Sequence, residues 1–257
     1  MQPVIASNVI MDKFQTFAEL EQAQKKVGIE SIQMVVGFDF SKSNEWTGEH
    51  SYRQSLHALS PANPYLKALS VLQPLLHKFD EDGIIPAFRF GCAQTRDQAV
   101  LPLLPSNPDP HFKGFDALKQ AYAQATQEIQ MSGPTTFAPM IQKAIEVCQS
   151  YGGRQLIFLL LLTDGDVSNP QLDMQCLVQA SSFPISICAL GLGDGPFDKM
   201  NVFDNMPGRK FDNFQFVNFT ALEAQAARCE CPDLVLATHA LQELPDQFMQ
   251  MRALGIV

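Results

Sequence analysis

Short apolar runs alternate along this chain with longer stretches in which apolar residues recur every three to four positions. Residues 35–38 and 157–162 are continuous apolar runs, and 85–90 and 185–190 are apolar but for Arg89 and Ser186, the pattern of strands buried on both faces. Residues 214–219 add a further strand and 100–104 a short one. Helical spacing covers 16–27, where Phe17, Leu20 and Ala23 share a face and Gly28 ends it. It recurs over 63–79, with Tyr65, Leu66, Leu69, Leu72, Leu75, Leu76 and Phe79 on one side and a kink expected at Pro74. Residues 115–129, 137–151, 170–181, 221–228 and 234–244 also read as helices, with Pro232 and Pro245 as breaks. Two stretches lack either period: 44–61, polar and containing Trp46, Tyr52 and His57, and the proline-rich 107–114. Both are expected as surface loops, the first beside the end of the first strand.

Strands that alternate with helices call for parallel, right-handed crossovers. The predicted fold is therefore α/β, three layers (α/β/α), doubly wound, with a mostly parallel central sheet and one short antiparallel edge strand. One domain is expected over 12–256, preceded by a lead-in at 1–11 that has no periodicity.

Composition narrows the function more than the fold. With 46% hydrophobic and 18% charged residues among 257, the chain has ample material for a core. Its net charge of −9 comes with no basic block, which argues against nucleic acid or an anionic membrane as partner. The longest strongly apolar run, 156–162, is too short for direct membrane insertion. Six cysteines form no Cys-x-x-Cys pair, which speaks against zinc, and no secretory pattern opens the chain, so a cytoplasmic location is expected.

Candidate chemistry gathers at strand ends. The first strand runs into Asp39-Phe40-Ser41-Lys42-Ser43, and in an extended segment Asp39, Ser41 and Ser43 point the same way. Residues 157–162 run into Thr163-Asp164-Gly165-Asp166, and a helix-opening loop supplies Thr135 or Thr136. In an open parallel sheet such carboxyl ends line the ligand crevice. Two carboxylates with three hydroxyls suit a hard divalent cation, Mg²⁺ or Mn²⁺, and without histidine or thiolate they serve zinc and copper poorly. Asp and Ser after a strand are also ordinary turn and cap residues. His57 and His77 fit packing or surface roles, Gly191-x-Gly193-x-Gly195 leads into Pro196 rather than a nucleotide-binding helix, and Met249 and Met251 read as gap-fillers.

Together these residues resemble the metal-ion-dependent adhesion site of von Willebrand factor type A domains. The likeness is closer to the copine branch and the related plant RING-type ubiquitin ligases. It rests on Phe38-Asp39-Phe40-Ser41-Lys42-Ser43-Asn44, Phe79-Asp80-Glu81-Asp82, Phe90-Gly91, Gly133-Pro134-Thr135 with Phe137-Ala138-Pro139, Leu192-Gly193-Asp194-Gly195, Phe214-Gln215-Phe216-Val217 and Leu244-Pro245-Asp246-Gln247. The resemblance implies that Asp39, Ser41, Ser43, Thr135 and Asp164 hold the metal, the hydroxyls directly and one or both aspartates through water. It favours Thr135 over Thr136, because Thr135 directly follows Gly-Pro in the matching loop. Asn44, Trp46 and Asp166, beside this set, are the candidate partner contacts.

The paired lipid-binding domains of copines and the zinc-binding RING of the ligases have no counterpart here, so an isolated A-type domain without ligase activity is expected. The function expected is a monomeric, metal-dependent protein-binding module whose Mg²⁺ completes its shell with an Asp or Glu of a partner. Two alternatives stand beside it. A metal-assisted phosphatase or hydrolase lacks an Asp-x-Asp pair at the first strand and a histidine tied to the cluster, so no enzyme is expected. A metal-independent scaffold, related to the substrate-binding domains of ubiquitin ligases, would act through exposed loops.

Overall fold

The computed structural model describes residues 16–80 and 82–257; the lead-in expected at 1–11 lies outside them. At the centre is β1 (Gln33–Asp39), paired in parallel with β2 (Ile84–Phe90) on one side and β5 (Ile157–Thr163) on the other. β6 (Ile185–Gly191) and β7 (Phe214–Asn218) extend the parallel sheet beyond β5. On the far side of β2, β3 (Leu101–Pro102) and β4 (His111–Lys113) pair antiparallel with different parts of the same strand. Among the described residues the order is β3-β2-β1-β5-β6-β7, with β4 also on β2. The mostly parallel α/β architecture is as expected, with two short antiparallel strands where one was predicted. β4 was hidden in the proline-rich stretch because a three-residue strand with one buried side chain, Phe112, has too little alternation to read.

Every residue of β1, β5 and β6 is buried, which is why apolar residues dominate these strands, with Gln33, Asp39, Thr163 and Ser186 as the buried polar exceptions. Successive side chains enter two separate cores. Met34, Val36 and Phe38 of β1 join Phe158, Leu160 and Leu162 of β5 on one face, while Val35 joins Ile157, Leu159 and Leu161 on the other. The first face is covered by α1 (Phe17–Lys26), α2 (Pro64–Leu76), α3 (Gly114–Glu128), α7 (Phe219–Ala226), α8 (Pro232–Leu241) and α9 (Leu244–Ala253). The second is covered by α4 (Ala138–Ser150), α5 (Pro170–Ala180) and α6 (Asp198–Asp204).

Helix starts follow the side chains that can satisfy them. Thr16, Asn63, Asn169 and Asn218 each accept a backbone N–H from the first turn of α1, α2, α5 and α7. Pro245, expected as a break, lies in the first turn of α9, where a proline gives up an N–H that has no helical partner anyway. Gly37 lets α4 settle close to the sheet, since a Cβ there would lie 2.9 Å from Met140 Cγ.

The chain leaves β1 towards β2 and later returns to β1's other side as β5. The order of the sheet therefore reverses between β1 and β5, and the crevice for a ligand opens at their carboxyl ends. Asp39 is the last residue of β1, and Asp164 follows the last residue of β5.

Candidate metal centre

Asp39 is fully buried and held on three sides. Its Oδ1 accepts the Ser41 backbone N–H at 2.8 Å and its Oδ2 accepts the Thr163 hydroxyl at 2.7 Å, so the neighbouring strand fixes the carboxylate. Its backbone carbonyl lies 2.9 Å from His57 Nε2 and 3.0 Å from the Tyr65 hydroxyl. A carbonyl only accepts, so Nε2 carries the proton and Nδ1 takes the hydroxyl of Tyr122 at 2.9 Å. Burial lowers the pKa of His57 to about 4, which keeps the ring neutral. The ring is stacked between Phe40 and Tyr65, with centroids 4.3 and 4.4 Å away. The stretch expected as a surface loop thus sends His57 and Leu56 into the core beneath the site.

After Asp39 the chain makes one short 3₁₀ turn (Lys42–Glu45), which brings the Ser41 and Ser43 hydroxyls to 3.1 Å. Asn44, expected at the partner face, is instead fully buried. Its amide donates to the Ser41 carbonyl and hydroxyl, both at 3.1 Å, and its Oδ1 lies 2.7 Å from the Tyr65 hydroxyl. Asn44 therefore fastens Ser41 and is closed to a partner.

Thr135 arrives from the loop before α4, which pairs with the segment after β1: Ser132 N–H donates to the Phe40 carbonyl, and Lys42 N–H to the Ser132 carbonyl. Gly91 lies behind the two, with φ +72°; a Cβ there would sit 2.8 Å from Asp39 Oδ1, 2.9 Å from Thr135 Oγ1 and 3.0 Å from Ser41 N. Thr136 turns away and gives its hydroxyl to Asp173. On the remaining side, Asp164 is buried and its Oδ2 accepts from Thr47 Oγ1 at 3.1 Å. Asp39, Ser41, Ser43, Thr135 and Asp164 thus converge on one rim of the sheet.

Two observations test whether this set fits a cation. Thr135 Oγ1 and Asp164 Oδ1 are both buried with no hydrogen-bond partner. Burial also raises the pKa of both aspartates, and the charge of Asp164 raises that of Asp39 further. Orphaned oxygens beside carboxylates that resist ionisation call for a positive charge. Among the described residues no three His, Cys, Asp or Glu side chains form a metal-binding group; the oxygens that converge here, hydroxyls and carboxylates, are of the hard kind that suits a small hard cation.

Trp46, 51% exposed, Lys42, Pro134 and Asp166 line an open groove of about 300 Å³ together with Ser41, Ser43 and Thr135. Asp166 is exposed and paired with Lys199 at 2.7 Å. Sequence reasoning missed Thr47, His57, Tyr65, Tyr122 and Asp173, whose contacts run between elements far apart in the chain. Thr163 could have been found, since it directly precedes Asp164 at the end of a strand.

A mostly parallel sheet with such a cluster at its switch point defines a domain of the von Willebrand factor type A kind. Residues 55–256 match the copine family model, and the chain belongs to the copine family. It is 38% identical to E3 ubiquitin-protein ligase RGLG5 of Arabidopsis thaliana, over 96% of this chain and 60% of that protein. It is 36% identical to copine family protein 1 of Caenorhabditis elegans, over 93% of this chain and 22% of that protein. Among solved structures, a von Willebrand factor type A protein from Catenulispora acidiphila is similar with a TM-score of 0.48 at 14% identity, over 82% of this chain and 43% of that one. The expectation that no enzyme is involved is corrected here, because the Arabidopsis relatives RGLG1 to RGLG5 are all named E3 ubiquitin-protein ligases. The chain spans between 54% and 68% of their length. No helix among the described residues is long and apolar enough to cross a membrane.

Gly91→Ala tests the crowding behind the site. It should destabilise the chain in urea melts by ~1–3 kcal/mol, from the positive φ together with compression of Asp39 and Thr135. Gly152→Ala, at φ +80° with nothing among the described residues within 4 Å, should lose clearly less.

The carboxylate pair gives a pH test with EDTA present throughout. A folded-state pKa raised above the unfolded value means that the pair's contribution to stability is full below about pH 4 and falls as pH rises towards neutrality. Asp39→Asn removes one of the two charges. The melting temperature of the variant minus that of the wild type should therefore be larger at about pH 8 than at about pH 5; any fixed loss from the changed hydrogen bonds cancels in that comparison.

Proposed function

We propose that this copine-family domain is a metal-dependent protein-binding module. Ser41, Ser43 and Thr135 hold Mg²⁺ or Mn²⁺ by their hydroxyls, with Asp39 and Asp164 bound directly or through water. The observation that carries this reading is the pair of buried, unpartnered oxygens, Thr135 Oγ1 and Asp164 Oδ1, beside two carboxylates that burial makes hard to ionise. Each buried polar atom left unsatisfied costs about 1–3 kcal/mol, so occupancy of the site offsets a penalty the fold otherwise carries.

When bound, the ion supplies a local positive charge and a coordination position for an outside carboxylate. The neutral serine and threonine hydroxyls neutralise little of that charge, so the rim attracts an acid even on a chain of net charge −9. The partner is accordingly a protein that presents Asp or Glu, and the domain receives it as a monomer. Around the coordination position, Lys42 adds a second positive group and Trp46 an exposed indole face, while Asp166 is partly neutralised by Lys199. Relatives named as ubiquitin ligases support a place for such a domain as the part that holds a protein for modification.

Calorimetry with Mg²⁺, followed by a screen of Asp- and Glu-containing peptides in Mg²⁺ and in EDTA, tests this reading. Metal should bind and raise the melting temperature, because a ligand selective for the folded state stabilises it by about 2.7 kcal/mol at a hundredfold excess over Kd. Ser41→Ala and Thr135→Ala should weaken Mg²⁺ and peptide binding together with at most ~1–2 kcal/mol of lost stability, and Asp39→Ala and Asp164→Ala should abolish both. Identical melting curves in EDTA and in millimolar Mg²⁺, with no heat of binding, would reject the metal site. Peptide capture that ignores EDTA and all four substitutions would move recognition to the loop at 44–61.

A further inference from the structure

Helix α4 opens without a cap of its own. The residue before it, Phe137, offers no side-chain acceptor to the N–H groups that a helix leaves unpaired at its start. The acceptor comes from a different helix. Asp173, fully buried in the first turn of α5, takes three donors on a single oxygen: the Thr136 hydroxyl at 2.5 Å, the Phe137 N–H at 2.8 Å and the Ala138 N–H at 2.7 Å. These are the three residues that follow Thr135.

Thr135 is gripped from its other side by the same segment. Its carbonyl accepts both the backbone N–H and the hydroxyl of Ser168, each at 2.8 Å. Its hydroxyl, in contrast, touches no hydrogen-bonding partner. Nothing therefore orients that hydroxyl through the side chain itself, and its place depends on how the backbone from 135 to 138 is anchored.

A helix cap alone does not explain the choice of residue. A neutral Asn or Ser caps as well, without the desolvation of a buried charge. Here a carboxylate is buried with its second oxygen, Oδ2, unpartnered. Charge-assisted bonds are roughly twice as strong as neutral ones, and three of them on one oxygen make a stiff anchor.

We infer that Asp173 is a positioning residue of the metal centre: by clamping the three residues after Thr135, it fixes the Thr135 hydroxyl where the cation is received. This rests on the metal-binding reading above. Asp173 does not touch the ion. It acts as a supporting group that orients a ligand, and loss of such groups commonly weakens metal affinity ~10–100-fold.

Mg²⁺ titration calorimetry on the full chain, far below the melting temperature, provides the test. Asp173→Ala should bind Mg²⁺ ~10–100-fold more weakly. Asp173→Asn, which keeps an acceptor in the same place, should recover part of the affinity, and Thr136→Val, which removes one of three donors, should show a smaller loss. Ile145→Val loosens α4 away from the loop and should lower the melting temperature while leaving Mg²⁺ affinity unchanged. Wild-type affinity in Asp173→Asn, Thr136→Val and Asp173→Ala overturns the assignment, as does an equal loss in Ile145→Val. Should Asp173→Ala fail to fold, Asp173→Asn and Thr136→Val decide: reduced affinity in both supports the role, and wild-type affinity in both ends it. A wild-type chain that takes up no Mg²⁺ is a different outcome, which removes the metal reading and this role together.

Discussion

The parallel pairing of β1 with β5 sets two aspartates side by side at the buried ends of neighbouring strands. Both carboxylates have lost their water, which holds both above the usual carboxylate range, and the charge of Asp164 raises Asp39 further. Much of the surrounding structure offsets this one constraint. The Ser41 N–H and the Thr163 hydroxyl are spent on Asp39, and the Thr47 hydroxyl on Asp164. What they leave unsatisfied at the rim are two buried oxygens, Thr135 Oγ1 and Asp164 Oδ1.

Beneath the patch lies a second, uncharged network. His57, Tyr65, Tyr122 and Asn63 form a buried aromatic and amide cluster that ends on the Asp39 carbonyl and on Asn44. Full burial keeps His57 neutral, so the cluster orients Asp39 without adding charge beside it. The segment that supplies His57 is tied down elsewhere as well. Asp194, in the loop after β6, accepts from the backbone of His50 and Ser51, and its own N–H donates to Thr47. Asp194 thereby steadies the turn from which Thr47 reaches Asp164.

Much of this was legible in the chain because the strands are buried on both faces. Residues 35–38 are an unbroken apolar run that stops at Asp39, 157–162 one that leads through Thr163 into Asp164, and strands buried on both faces leave few other readings. The hydroxyls of the site were legible for a related reason: Ser41 and Ser43 lie close in sequence to Asp39, so local geometry places them. What could not be read was anything set by packing between distant segments. His57 is legible as a packing or surface residue, but not its stacking between Phe40 and Tyr65 or its bond to the Asp39 carbonyl. Asn44 looked solvent-facing, yet the 3₁₀ turn rotates it inward onto Ser41. Asp173 sits on a helix face where one acid among apolar residues carries no local mark of the loop it reaches.

The oxygens that converge at the rim come from two different layers. Asp39 and Asp164 belong to the sheet, whose positions are fixed by ladder pairing and by two cores. Thr135 belongs to the loop that opens α4, and that loop is held to the segment after β1 by the bridge from Ser132, to α5 by Asp173 and to the segment before α5 by Ser168. A cation that drew on both sets would tie a helical layer to the sheet edge in one contact. Among the side chains of Asp39, Ser41, Ser43, Thr135 and Asp164, the buried atoms left unpartnered are one from each layer, Asp164 Oδ1 from the sheet and Thr135 Oγ1 from the helix side. A site meant only to neutralise two strand-end acids would need nothing from α4. The presence of the threonine therefore argues for a ligand held between layers, at the mouth of the groove that Lys42 and Trp46 line.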